Sequence, residues 1–176
     1  YSKPRPLEPQ IIDVRQLLED LVRTVEPRAQ EAGVNLLLDV QDSCGFFEVD
    51  RHALFSALIN FLDNAVDACV ADTFKTEKNV RVRAERDTGV VTIFIDDNGI
   101  GMDQATIDNM FSLFFSSKGV HGTGIGMYVS DYIIGAHNGT IEVISTLTHG
   151  TSCILDIPIR FDGSRVVDGT GIRLMN

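Results

Sequence analysis

The sequence predicts an α+β fold: a two-layer α/β sandwich in which a mixed, mostly antiparallel sheet of about five strands packs under three main helices. Two observations predict it. Segments 13–33, 51–70 and 125–136 place apolar residues at helical spacing. Between and after them lie short runs, at 34–40, 46–49, 80–85, 90–95, 141–144 and 151–159, that alternate or are continuously apolar and end in turn residues. There is no internal repeat and no second apolar core, so one domain over 1–159 is expected, followed by a tail at 160–176.

Taken in order, residues Tyr1 to Pro9 hold three prolines and read as extended, with a short strand around Glu8 to Ile12. Asp13 is an N-cap for a helix whose inner face is Val14, Leu17, Leu18, Leu21 and Val25. Pro27 either kinks that helix or sits in its last turns, and Gly33 stops it. Asp50 caps the long second helix, with Leu54, Ala57, Leu58, Phe61, Leu62, Ala65 and Ala68 as its buried face. Asp72 to Lys78 is a polar loop. Val80, Val82 and Ala84 alternate with Arg81, Arg83 and Glu85 in a half-exposed strand, and Asp87-Thr88-Gly89 turns it into the apolar run Val90 to Ile95. Asn138-Gly139 ends the third helix, and His149-Gly150 joins the last two strands.

Composition narrows the function classes. Of 176 residues, 44% are hydrophobic and 23% charged, enough for one substantial core. The formal charge of -10 argues against a nucleic-acid surface. Three widely spaced cysteines without a C-x-x-C pair predict reduced thiols and a cytoplasmic setting, and Cys69 is expected to be buried and inert. No apolar run stands out as a membrane span, and no signal peptide is visible. The start, Tyr1-Ser-Lys-Pro-Arg-Pro, reads as a cut from something longer.

Two glycine clusters carry the chemistry. In the first, Asp97 ends an apolar strand and is followed by Gly99 and Gly101, which are expected to let the backbone approach a flat ligand. A carboxylate there accepts hydrogen bonds from an exocyclic amine. In the second, Gly122, Gly124 and Gly126 lead into a helix, whose N-terminal N–H groups and dipole suit phosphate. A base site and a phosphate site together point to a nucleotide, although each cluster alone reads more readily as a plain glycine turn between a strand and a helix. Asn60 and Asn64 lie one turn apart on one helix face, and asparagine is a poor helix-interior residue, so their carbonyls are candidates for one shared ligand. His52, His137 and His149 read as solvated or turn residues; His121 adjoins the second cluster and is a phosphate candidate. Phe111, Phe114 and Phe115 read as anchor and core rather than a stacking platform.

In order along the chain, N-F-L-D-N-A-V-D-A (Asn60 to Ala68), D-N-G-I-G-M (Asp97 to Met102), F-F-S-S-K (Phe114 to Lys118) and G-T-G-I-G-M (Gly122 to Met127) resemble the N, G1, F and G2 boxes of sensor histidine kinase catalytic domains. These domains share the GHKL fold with gyrase-type and chaperone-type ATPases. The closing segments H-N-G-T-I-E-V-I-S and G-T-S-C-I-L-D-I-P are similar to that family's last two strands, so the likeness runs from about Ile12 to Pro158.

The resemblance implies ATP and Mg²⁺ as cofactors. Asn64 would ligate the metal, and Asn60 would bond the phosphates or a metal-bound water. Asp97 would read the adenine amine, with Gly99, Gly101 and Met102 lining the base and Thr151 touching it. Lys118 would reach the terminal phosphates from a short lid at about 116–121. Gly122, Thr123, Gly124, Ile125, Gly126 and Met127 would hold the triphosphate. The chain would then donate the γ-phosphoryl to a histidine on a separate dimerisation domain, from which residues 1–10 would be the linker. A response-regulator receiver domain would be the next acceptor, and the fragment itself a monomer that contacts no membrane. Asp67 stands where many relatives have lysine or arginine, and with Val66 and Ala68 it resembles the nitrogen-regulator-like subgroup. Leu113 replaces a common proline. Two other functions stand beside this one: a GHKL-type ATPase, which would carry glutamate at Asn60, and a non-catalytic nucleotide-sensing module.

Overall fold

A computed structural model describes residues 5–116 and 123–163. Within them, β1 (Gln10–Asp13) and β3 (Phe46–Val49) form an antiparallel ribbon. The main sheet has five strands in the order β2 (Asn35–Val40), β4 (Asn79–Asp87), β5 (Val90–Asp97), β7 (Gly150–Pro158), β6 (Thr140–Thr146). Only the β2–β4 pair is parallel, joined by a crossover that carries β3 and the long helix at 51–71; the other neighbours are antiparallel. Helices α1 (Val14–Glu31), α2 (Arg51–Ala71) and α4 (Gly126–Ala136) are the three long ones. The expected α+β sandwich is the observed fold.

Both expected caps form. Asp13 accepts from the Gln16 N–H at 3.0 Å and Asp50 from the Ala53 N–H at 3.0 Å. Pro27 lies inside the last turns of α1. A short helix, α3 (Gln104–Asn109), was not expected; its cap is Asp103, which accepts from the Thr106 N–H at 2.8 Å.

The core lies between the helices and one sheet face. Val80, Val82 and Ala84 of β4, Val91, Ile93 and Ile95 of β5, and Leu155 and Ile157 of β7 meet Leu17, Leu21, Leu58, Leu62 and Ile134. The run Val90 to Ile95 therefore alternates instead of being wholly buried. Phe94 lies on the other face, covered by the Arg83 guanidinium at 4.2 Å from its ring centre. Helix α2 is, by length and composition, apolar enough to span a membrane, contrary to the expectation from sequence. In the fold it is a core helix, with Leu54, Leu58, Leu62, Val66 and Cys69 buried. Ala68, expected in the core, is only half-buried because it faces the cavity described below.

His137 is not the turn residue the sequence led us to expect. It is 2% exposed. The Asp50 N–H donates to its Nε2 at 3.0 Å, and its Nδ1–H donates to the Ile133 carbonyl at 2.8 Å. Phe161 packs edge-on against the ring. The imidazole thus joins the end of α4 to the cap of α2, and the two bonds require its neutral form. Burial lowers its pKa, against the opposing pull of the Ile133 carbonyl and Asp50. Stability tied to this lowered pKa is present above the unfolded value of about 6.5 and is lost as pH falls below it. His137→Leu should therefore destabilise the domain by about 1–3 kcal/mol at neutral pH, since the Asp50 N–H is left without an acceptor. Denaturant titration should show that the gap between wild type and variant narrows on acidification to about pH 5.5. A gap that is constant or widens contradicts this role.

Candidate nucleotide site

A cavity of about 900 Å³ opens between α2, the segment after β5 and the start of α4. This is ample for a small-molecule ligand. Asn60, Asn64 and Ala68 of α2 line one wall; Asp97, Gly101, Met102 and Thr151 lie at one end; Thr123, Gly124, Gly126 and Met127 lie at the other. The cavity thus joins both glycine clusters to the helix asparagines. Of the residues singled out from sequence, Gly99 and Ile125 are not among its lining. Lys118, His121 and Gly122, and with them most of the expected lid, lie outside the described residues, as does the tail from residue 164.

Asp97 ends β5, paired in register with Val80 on one side and Thr151 on the other. Its carboxylate accepts from the Gly99 N–H at 2.8 Å. Burial pushes its pKa up to about 6, against the opposing N–H bonds from Gly99 and Thr151. The carboxylate is therefore charged at neutral pH yet sits in a poorly solvated pocket, where a hydrogen-bond donor on a ligand gains most.

The glycines of the first cluster serve a different purpose from the one expected. A Cβ on Gly99 would lie 2.4 Å from the Ala68 carbonyl carbon, and the Ile100 N–H donates to the Ala68 oxygen at 3.1 Å. Gly101 has φ +67°, and its Cβ would lie 2.0 Å from the Thr146 oxygen. Protein backbone, not ligand, demands these glycines. The Met102 N–H donates to Ser145 Oγ at 2.8 Å, and Ser145 Oγ lies 2.7 Å from Thr151 Oγ1. The loop is thereby fixed to β6 and β7.

The asparagines differ in what they offer. Asn60 donates through Nδ2 to the Gly126 carbonyl at 3.2 Å and to Ser130 Oγ at 3.0 Å, tying α2 to the start of α4. Its carbonyl oxygen is what remains for a ligand. Asn64, one turn on, lines the same wall. Among the described residues no group of three His, Cys, Asp or Glu side chains is arranged to hold a metal. An amide oxygen beside a polyphosphate nevertheless fits Mg²⁺, which binds few protein ligands and keeps several waters. Asp67 is engaged by Arg28 of α1, which also reaches Asp63 at 2.8 Å. A guanidinium thus offsets two carboxylates on the α2 wall of the cavity.

Sequence reasoning missed several lining residues. Thr106 and Met110 come from α3 and its end, and Val70, Leu147 and Cys153 also face the cavity. None carries a local signal that marks it as part of a site. Phe111 is buried against Phe61, whereas Phe115 lines the cavity and Phe114 is exposed.

Residues 49–160 match the family described as Histidine kinase-, DNA gyrase B-, and HSP90-like ATPase. The chain belongs to this family. Within it, relatives such as AtoS and ZraS of Escherichia coli K12 are named as histidine kinases, and the chain is an ATP-binding catalytic domain of the two-component histidine-kinase type. The signal transduction histidine-protein kinase AtoS of Escherichia coli K12 is 30% identical over 168 residues, covering 95% of this chain and 27% of that protein. The chain spans about a quarter of the length of the curated relatives it matches. Two solved structures share the fold. The nucleotide-free catalytic domain of histidine kinase ThkA has a TM-score of 0.76 at 21% identity, covering 88% of this chain and 97% of that one. Full-length ShkA in complex with AMPPNP has a TM-score of 0.80 at 23% identity, covering 92% and 33%.

Proposed function

We propose that the cavity binds Mg-ATP with the adenine at Asp97 and the phosphates along Asn60, Asn64 and the start of α4, and that the chain donates the γ-phosphoryl to a histidine on a separate dimerisation domain. A receiver aspartate of a response regulator is the next acceptor, and the setting is cytoplasmic. The observation that carries this reading is one cavity with a half-buried carboxylate at one end and, towards the start of α4, a wall that carries Asn60 and Asn64.

Each residue has a task in it. Asp97 accepts from the adenine amine, while Gly101, Met102 and Thr151 border the base. The N–H groups at Thr123, Gly124 and Gly126 meet the phosphates, helped by the α4 dipole. Asn64 would hold Mg²⁺, and the metal would supply charge neutralisation at the phosphates. Asn60, whose amide nitrogen is committed to α4, keeps its carbonyl as an acceptor facing the same wall. Lys118, His121 and Gly122 are assigned to the phosphates by resemblance alone. The domain is read as 1–159 with 1–10 as linker, and as a monomer of the nitrogen-regulator-like subgroup, in keeping with Val66-Asp67-Ala68.

Asn60 also explains why such a domain stores ATP instead of spending it. Hydrolysis gains about 10²–10⁴-fold from a general base. An amide orients a water but takes no proton from it. Incubation of the chain with γ-labelled ATP should leave it unlabelled and release little phosphate. Adding the helical acceptor domain of the same parent should place label on that domain's histidine. Stable label on this chain alone, or brisk phosphate release that survives Asn60→Ala, contradicts the proposal. Asn64→Ala should remove the gain in ATP affinity that Mg²⁺ gives, leaving metal-free binding within about threefold of wild type. Calorimetry with and without Mg²⁺ reads this; an undiminished metal effect rules Asn64 out as the ligand.

A further inference from the structure

Three loops meet at the base end of the cavity, and one ammonium joins them. Lys75 lies in the loop after α2. Its Nζ donates to the Asn98 carbonyl at 2.5 Å, the Gly99 carbonyl at 3.2 Å and the Thr148 carbonyl at 2.7 Å. The first two acceptors belong to the turn directly after Asp97, and the third to the β6–β7 turn. Asp72, only 5% exposed, is its counterion at 3.1 Å. Asp72 is itself held by the N–H groups of Phe74 and Lys75, each at 3.0 Å. The lysine is thus aimed from a prepared base, and its hydrogens are spent on backbone carbonyls.

We propose that Lys75 is a positioning residue for nucleotide binding: it clamps the three loops into one rim and sets the place and charge of Asp97 without touching the ligand. The proposal rests on the base lying at Asp97. The clamped segments carry the cavity's residues. Asn98 follows Asp97, Gly99 precedes Ile100 and Gly101, and Thr148 follows Leu147. The Thr148 N–H also donates to the Ile100 carbonyl at 2.7 Å, so the two turns are stitched on both sides of the ammonium. Without the lysine, three carbonyls and the nearly buried Asp72 would converge with no cation between them.

The charge matters as well as the geometry. Lys75 is the cation whose field opposes the rise of the Asp97 pKa. The other groups around Asp97 do not compete for this part. Asp96, its strand neighbour, is engaged by Arg83 at 3.1 Å and by Ser152. Burial raises the Cys69 thiol of α2 to about 11 and the Cys153 thiol of β7 to about 12, so both stay neutral across the range of interest. Removing the ammonium should therefore move the Asp97 titration upward and end base recognition at a higher pH.

The test uses adenosine, which has no phosphates to titrate, and ATP, both followed by NMR titration from pH 5.5 to 8.5. Wild type should lose adenosine affinity as pH falls through about 6, following Asp97. Lys75→Met should weaken adenosine and ATP by a similar factor, on the order of tenfold, and shift the pH midpoint upward. Lys75→Arg, which keeps the charge and several donors, should restore both to within about threefold. Lys75→Gln keeps a donor but not the charge; it should reproduce the midpoint shift and serves if the methionine variant does not fold. Loss confined to ATP would place Lys75 at the phosphates and overturn the proposal, as would a midpoint that does not move. Asp97→Asn with wild-type adenosine affinity would instead overturn the base placement itself.

Discussion

The backbone at 97–101 lies directly on the backbone of α2 and of the β6–β7 turn, with no side chain between them. The Cβ that Gly99 lacks would sit 2.4 Å from the Ala68 carbonyl carbon, and that of Gly101 2.0 Å from the Thr146 oxygen. Everything at the base end follows from this contact. It brings Asp97 against the helix that carries Asn60 and Asn64, so one cavity is lined by all three. It also buries the carboxylate enough to raise its pKa to about 6. The sheet supplies the remaining constraint, because Thr151 is the register partner of Asp97 on β7.

Much of this was legible in the sequence because the signals are local. The inner faces of α1 and α2, the Asp13 and Asp50 caps and the alternation of β4 need only neighbouring residues to be read, and each holds in the fold. In α4 the apolar positions Ile125, Val129 and Tyr132, which read as a helical stripe, are exposed, and Ser130 and Ile134 are the buried ones. The asparagine pair and the carboxylate before two glycines were visible as chemistry out of place, which is how a site announces itself in a chain. The purpose of those glycines was not visible. Ligand approach and backbone packing demand the same residue, and only the position of Ala68 tells them apart.

What the sequence concealed is long-range. His137 reads as a turn residue after α4, yet its ring accepts from a backbone N–H 87 positions away. Lys75 sits in a polar loop with nothing to distinguish it from Lys78, and its acceptors are 23, 24 and 73 positions away. Asp67 stands where many relatives have a cation, and Arg28, on a different helix, supplies a positive charge beside it. In each case one polar side chain joins elements that no pattern in the chain connects. These links are also where one substitution should act on site and stability together.

The central claim is that a half-buried, poorly solvated carboxylate at the end of β5 reads the purine. Adenine offers an amine at the edge where guanine offers a carbonyl, and a carboxylate facing a carbonyl leaves two acceptors unpaired at a cost of about 1–3 kcal/mol. The direct measurement is calorimetric titration of the chain with ATP and with GTP in Mg²⁺ at neutral pH. The account predicts saturable ATP binding and GTP weaker by about tenfold or more. Equal affinity for the two nucleotides would contradict it.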